Sequence, residues 1–274
     1  MGRISLNNKP LISVLMGIYN CADTLEEAVD SIKNQTYSNW ELIMCDDCSS
    51  DNTYEKALEI AKGNNRIKVY KNEKNLTLAP TLNNCLKAAS GKYIARMDGD
   101  DVCAPERFEK ELNFLEENPE YAVVSTRMNM FDKDGIFRTT TVESFPTVKE
   151  LVAGPPFCHA GCMMKKSVLD ELGGYNTGEE VTRIEDYDLW YRLYKAGYKG
   201  ANIQEALYSM RDDIKALKRR KFKYRVNSYK LRKKIIKTFN LPIKYYSKAI
   251  KPILVGLLPT PIYKVLHAKK SGGK

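Results

Sequence analysis

Arg96-Met97-Asp98-Gly99-Asp100-Asp101 sets three carboxylates within four residues, directly behind an apolar run and ahead of Pro105. Crowded like charges repel, and hard oxygen donors at this spacing suit a divalent cation held against a phosphate. The competing reading is an acidic turn, because Asp and Gly favour turns and Asp caps helices of the kind Pro105 opens. Two further polar clusters follow apolar runs: Gly17-Ile18-Tyr19-Asn20 and Asp46-Asp47. A fourth, Glu185-Asp186-Tyr187-Asp188, opens a segment of helical period, where acidic decoration of a first turn is the plainer explanation. Neither GxGxxG nor GxxxxGK[ST] occurs, so dinucleotide binding and a phosphate-cradling P-loop are disfavoured and a phosphate site must rely on a metal. Cys45 and Cys48 have CxxC spacing, but the chain has only two His and an odd set of seven Cys, so free thiols are expected rather than a zinc or redox site.

The elements that must position these groups alternate. A β-leaning run at Leu11 to Met16 gives way after Asn20 to a helical pattern with Leu25, Ala28, Val29 and Ile32 on one face, and Thr24 with Glu27 reads as its capping box. Strands at Glu41 to Cys45, Ile67 to Tyr70 and Tyr93 to Met97 then alternate with helices at Asp51 to Lys62, Thr77 to Ala89 and Pro105 to Glu117. A hairpin is predicted around Asp132 to Gly135, and a last body helix from Glu185 to Lys195, with Gly197 as its stop. Repeated βα units imply a parallel sheet with helices on both faces. Ligands of such sheets sit beyond the carboxyl ends of the strands, so the clusters after the first, second and fourth strands should converge on one crevice.

At 274 residues and 43% hydrophobic, the chain can bury one large core and carry an appendage. Its net charge of +10 hides a split: residues 214–274 hold 19 of the 44 basic residues and no acid, leaving 25 basic against 34 acidic residues before them. A boundary near residue 213 is therefore expected, with different partners on either side. The basic tail, with Lys218-Arg219-Arg220-Lys221 and Arg232-Lys233-Lys234 among Phe222, Tyr224, Tyr229 and Leu231, reads as a helical anchor on an anionic membrane surface. A helical hairpin packed on the body is the alternative, and nucleic acid fits the charge but finds no recognisable module. With no apolar leader at the start and no run of about 18 apolar residues, the protein is expected in the cytosol.

Taken together, Ile12-Ser13-Val14-Leu15-Met16-Gly17-Ile18-Tyr19-Asn20, Trp40-Glu41-Leu42-Ile43 with Asp46-Asp47, Asp98-Gly99-Asp100-Asp101, and Glu185-Asp186-Tyr187-Asp188-Leu189-Trp190 resemble, in order and spacing, the family 2 inverting glycosyltransferases. The resemblance spans residues 11 to 213 and is greatest to non-processive transferases of bacterial exopolysaccharide and capsule clusters. It implies a GT-A fold, a Rossmann-like, mixed and mainly parallel sheet flanked by helices, with a nucleotide-binding half over 11–103 and an acceptor half over 104–213. Tyr19 would pack on the nucleobase and Asp47 hydrogen-bond it, usually uracil. Asp98 would meet the ribose and, with Asp100, the Mn²⁺ or Mg²⁺ that neutralises the departing diphosphate. Asp186 would be the base that deprotonates the acceptor hydroxyl, with the helix dipole keeping its pKa from rising.

The chain also departs from the family. Gly17-Ile18 stands where Pro-Thr is frequent, Cys48 where Gly is usual, and Leu82 where an Arg commonly precedes the matched Asn83, which leaves Lys74 or Arg96 for the diphosphate. His159 would touch the acceptor or the diphosphate, or be a hydrogen-bonded core histidine; Arg211 would approach the diphosphate or pair with the acidic body. Gln-x-x-Arg-Trp, the processive motif, is absent, so single addition is expected. The implied function is transfer from a nucleotide-diphosphate sugar, a UDP-sugar by preference, to a lipid-linked or other membrane-associated glycan at the inner face of the plasma membrane. The rival is a scaffold that binds a partner through its basic tail.

Overall fold

Short apolar runs separated by helices of 3.6 period build a twisted α/β sheet in which alternate strand residues serve two cores. The computed structural model describes residues 9–211 and 221–257. Strands β1 (Ile12–Ile18), β2 (Trp40–Asp46), β3 (Ile67–Lys71) and β4 (Tyr93–Arg96) alternate with helices α1 (Leu25–Lys33), α2 (Thr53–Ala61) and α3 (Leu78–Ala88). β1 pairs in parallel with both β2 and β4, and β2 with β3, which carries the parallel half of the sheet. Then come β5 (Val102–Cys103), α4 (Arg107–Glu117), the hairpin β6 (Tyr121–Asp132) and β7 (Gly135–Thr139), α5 (Val148–Ala153), β8 (Met163–Lys165), α6 (Lys166–Glu171), α7 (Glu185–Lys195) and β9 (Lys199–Arg211).

The sheet runs β3-β2-β1-β4-β8-β6-β9-β5, with β7 on β6. β8 enters antiparallel to both β4 and β6, whereas β6 and β9 run parallel with register shifts, so the antiparallel pairs gather in the second half. This is the mixed, helix-flanked sheet expected from the sequence, and the Asp132 to Gly135 hairpin is present. In β1, Ile12, Val14, Met16 and Ile18 face the core shared with α1, α2 and α4, while Leu15 faces the core shared with α3, α5 and α7. Arg107, fully buried, ion-pairs with Glu111 at 3.1 Å and donates to the carbonyls of Arg96 (3.0 Å) and Cys162 (3.3 Å), tying the end of β4 to the start of β8. All seven cysteines are free.

The predicted capping box of α1 does not form. Thr24 Oγ1 donates instead to the carbonyls of Cys21 (3.2 Å) and Gly99 (3.0 Å), and Glu27 pairs with Arg211. Tertiary partners across the crevice have taken both cap residues.

Beyond the body, α8 (Phe222–Thr238) and α9 (Tyr246–Gly256) pack as a pair. Leu231, Ile235 and Ile236 of α8 and Ala249 of α9 join the core of α7, and Tyr191 and Thr238 hydroxyls lie 3.1 Å apart. Lys218, Arg219 and Arg220 and residues 258–274 lie outside the described residues. Among the described residues no helix is long and apolar enough to cross a membrane.

Candidate active site

β1, β2 and β4 end side by side, and their loops enclose a crevice of about 690 Å³. Its wall includes Tyr19, Asp47, Asp98, Asp100 and Arg211 among the residues singled out in the sequence, together with Thr77, Arg183 and Glu185. Arg96, His159 and Asp186 are not on this wall.

The acidic loop after β4 is fixed from three sides. Tyr208 Oη donates to Asp101 Oδ2 (2.7 Å), the Arg211 backbone N–H donates to Asp101 Oδ1 (2.8 Å), and Arg211 Nε donates to the Asp100 carbonyl (3.0 Å). Thr24 holds Gly99 from the α1 side. A side chain at Gly99 would place its first carbon 2.9 Å from Cys21 Sγ and 3.1 Å from Ile18 Cγ2, so any larger residue in the turn between the aspartates would have to displace those side chains. Burial, and then the Asp98 and Asp100 carboxylates, push Asp101 up to about 8. Arg96, itself buried, stays charged and places Nη1 2.5 Å from Asp98 Oδ1, while its Nε has no hydrogen-bond partner among the described residues.

Asp98, Asp100 and Asp101 each offer an oxygen within 4.8 Å of the others. Three hard donors this close, in a loop already fixed, fit a divalent cation.

Asp47 is spent largely on structure. Its Oδ1 accepts from Asn72 Nδ2 (2.9 Å) and the Leu76 N–H (2.7 Å), and its Oδ2 from the Thr77 N–H (2.9 Å). These bonds hold Thr77 at φ 72°, a conformation a β-branched residue rarely adopts. Asn20 (φ 50°), Cys48 (φ 60°) and Arg183 (φ 65°) share the left-handed region, so four of the five such non-glycine residues described line or adjoin the crevice. Cys48, where the family usually has Gly, thus keeps the backbone that Gly would supply. Tyr19 is 51% exposed at the rim.

Asp186 lies in the first turn of α7, whose buried face is Tyr187, Leu189, Trp190, Tyr191 and Leu193. The helix terminus does not keep its pKa low. Burial, and then Glu185, raise Asp186 to about 6, against the N–H of Tyr187 at 2.7 Å. His159 Nε2 is 2.8 Å from Tyr175 Oη, and the ring packs edge-on to Tyr175 and Trp190. Burial and then the Arg96 charge lower its pKa well below the usual histidine value, leaving a neutral imidazole. Arg211 pairs with Glu27 and holds the acidic loop, the second of its two expectations.

Arg183 was not singled out by sequence reasoning. It lines the crevice three residues before Asp186, and its side chain makes no ion pair with a described residue. An isolated Arg ahead of an acidic pair carries no motif. Tyr208, one tyrosine among 17, was equally silent until the fold brought it to Asp101.

A family model, glycosyl transferase family 2, matches residues 13–173. The chain belongs to this family. It is 42% identical over 266 residues to EpsE of Bacillus subtilis (strain 168), covering 97% of this chain and 96% of that protein. It is 33% identical over 192 residues to the UDP-Glc:α-D-GlcNAc-diphosphoundecaprenol β-1,3-glucosyltransferase WfaP of Escherichia coli, covering 70% and 73%. The fold is also that of S. aureus TarS solved with UDP-GlcNAc, with a TM-score of 0.71 over 88% of this chain and 72% of TarS at 18% identity.

Proposed function

We propose that this family member is an inverting transferase that moves one sugar from a nucleotide-diphosphate donor, a UDP-sugar by preference, to a membrane-associated glycan, with Asp186 as the base. The observation that carries this reading is the meeting, around one crevice, of the acidic loop after β4 and the first turn of α7. Inversion needs a single displacement: the acceptor oxygen attacks the anomeric carbon as the bond to the diphosphate breaks on the opposite face. Asp186 takes the hydroxyl proton, for which it must be ionised, and its raised pKa makes it a stronger acceptor of that proton than a solvated aspartate.

Tyr19 packs on the nucleobase, and Asp47 has one acceptor position left for it after its three protein bonds. Asp98 serves the ribose, and Asp98 and Asp100 hold Mn²⁺ or Mg²⁺. That ion, when bound, neutralises charge on the leaving diphosphate. Arg96, buried behind the wall, acts through its ion pair with Asp98. Arg183 adds a cation to a wall whose other charged residues are carboxylates and Arg211, and neutral His159 contributes only as a hydrogen-bonding group.

The UDP-sugar held by TarS and the diphosphoundecaprenol acceptor in the name of WfaP support this choice of donor and of a lipid-linked acceptor in surface polysaccharide assembly. The site would then act at the cytoplasmic face of the plasma membrane, with residues 214–274 on its anionic surface. A non-catalytic scaffold is less favoured, since Asp98, Asp100 and Asp186 are all present. The test is release of nucleoside diphosphate from a panel of donors with lipid-linked acceptor: one donor should turn over, and Asp186→Asn should stop it while Mn²⁺-dependent binding of that nucleotide persists. No turnover of any donor, or full turnover by Asp186→Asn, would overturn the proposal.

A further inference from the structure

α9 carries an apolar stripe that no described residue covers. Ile243, in the single 3₁₀ turn before the helix, is 86% exposed, Ile250 42%, Leu254 55% and Leu257 68%. The spacings of four and three residues put Ile250, Leu254 and Leu257 on one face of the helix, and Ile243 lies just ahead of it. Lys244, Lys248 and Lys251 are exposed alongside. An open hollow of about 380 Å³ at the α8–α9 corner continues the stripe, with Ile236, Leu241, Ile243 and Tyr246 in its wall. Water is a poor partner for four large aliphatic side chains grouped in this way.

Charge selects the partner. The whole of 214–274 has no Asp or Glu. A protein groove would have to match an apolar line and a lysine border at once; the headgroup region of an anionic bilayer offers apolar depth and diffuse negative charge together. We infer that the Ile243–Leu257 face of α9 is a docking surface for anionic lipid bilayer, with the aliphatic side chains in the interfacial region and the lysines on the headgroups. This deepens the proposed function by naming the residues through which the chain meets the acceptor's membrane, and it rests on that reading only for its purpose.

The surface is coupled to the site. α8 shares the core of α7 through Leu231, Ile235 and Ile236, and Asn227 Nδ2 donates to the Glu179 carbonyl at 3.3 Å, four residues ahead of Arg183. Docking α9 therefore fixes the helix that carries Asp186 relative to the bilayer.

The test is co-sedimentation of the full chain with vesicles of equal parts phosphatidylglycerol and phosphatidylcholine, and with phosphatidylcholine alone. Binding should occur on the mixed vesicles only and fall with salt. Ile250→Gln with Leu254→Gln should lose most of it with unchanged circular dichroism, and each Lys→Gln at 244, 248 or 251 should weaken partitioning about fivefold, the factor equal to ~1 kcal/mol per lysine. No donor or acceptor enters this assay, so its outcome is separate from that of the transfer reaction. Absence of binding by the full chain, or undiminished binding by the double variant, would overturn the inference. So would a wild-type dimer that dissociates in the double variant without any vesicle binding, which would make the stripe a contact between two copies.

Discussion

The two ends of the same parallel strands are built to opposite standards. At the amino end, Glu41 accepts from Ser13 Oγ (2.6 Å), the Ser90 N–H (2.8 Å) and hydroxyl (2.7 Å), and Lys68 Nζ (2.8 Å). Against the upward push of burial, these bonds from Lys68, Ser13 and Ser90 bring its pKa down to about 2. At the carboxyl end, Asp101 is pushed up to about 8 and Asp186 to about 6, and four non-glycine residues sit at positive φ. At one end the bonds lower the carboxylate; at the other, burial and neighbouring carboxylates raise it. The difference marks the carboxyl end as the candidate site without any motif, since strained backbone and perturbed carboxylates gather at functional sites.

The sharpest way to break this contrast is at Asp186. Asp186→Asn should lower kcat about 10²- to 10⁴-fold, the range for removing a positioned base, without lowering Tm, because the ionised carboxylate there is held against its burial. Glu41→Ala should do the reverse: leaving Ser13, Ser90 and Lys68 without their acceptor should cost about 2–3 kcal/mol in denaturant unfolding, with donor KM unchanged. The pH dependence separates the two ends again. Below pH 6 Asp186 gains its proton, so kcat/KM should fall about tenfold per pH unit and level off above. Glu41 is depressed in the folded state, so its contribution to stability is present above about pH 4.5 and is lost as pH falls towards 2. Arg183→Gly makes the smallest change and the most pointed one: relief of the left-handed residue should raise stability by up to about 1 kcal/mol, while loss of the cation raises donor KM about tenfold.

The strand and helix order of the first half was legible because each element carries its own period: Leu25, Ala28, Val29 and Ile32 mark α1, and Phe108, Leu112 and Leu115 mark α4. β8 was not, since three residues, Met163, Met164 and Lys165, after a Gly/Pro-rich stretch hold no period at all; their place between β4 and β6 is a tertiary fact. The convergence of Tyr19, Asp47, Asp98 and Asp100 on one crevice could be read from strand ends. The side chains that hold the loops could not. Thr24 looked like a cap and became a strut to Gly99, and Asp186 looked shielded by its helix dipole, yet burial outweighs it. Local rules lost in both places to contacts between residues far apart in sequence.

The central claim is that the crevice binds a nucleoside diphosphate with the help of a divalent cation. It is tested most directly by calorimetric titration of UDP, GDP and dTDP into the full chain with and without Mn²⁺, repeated on Asp100→Ala. The account predicts that one nucleotide, UDP by preference, binds with Mn²⁺ at least about tenfold more tightly than without it, and that Asp100→Ala abolishes the difference. Binding that ignores both Mn²⁺ and Asp100, or no binding of any of the three, would contradict it.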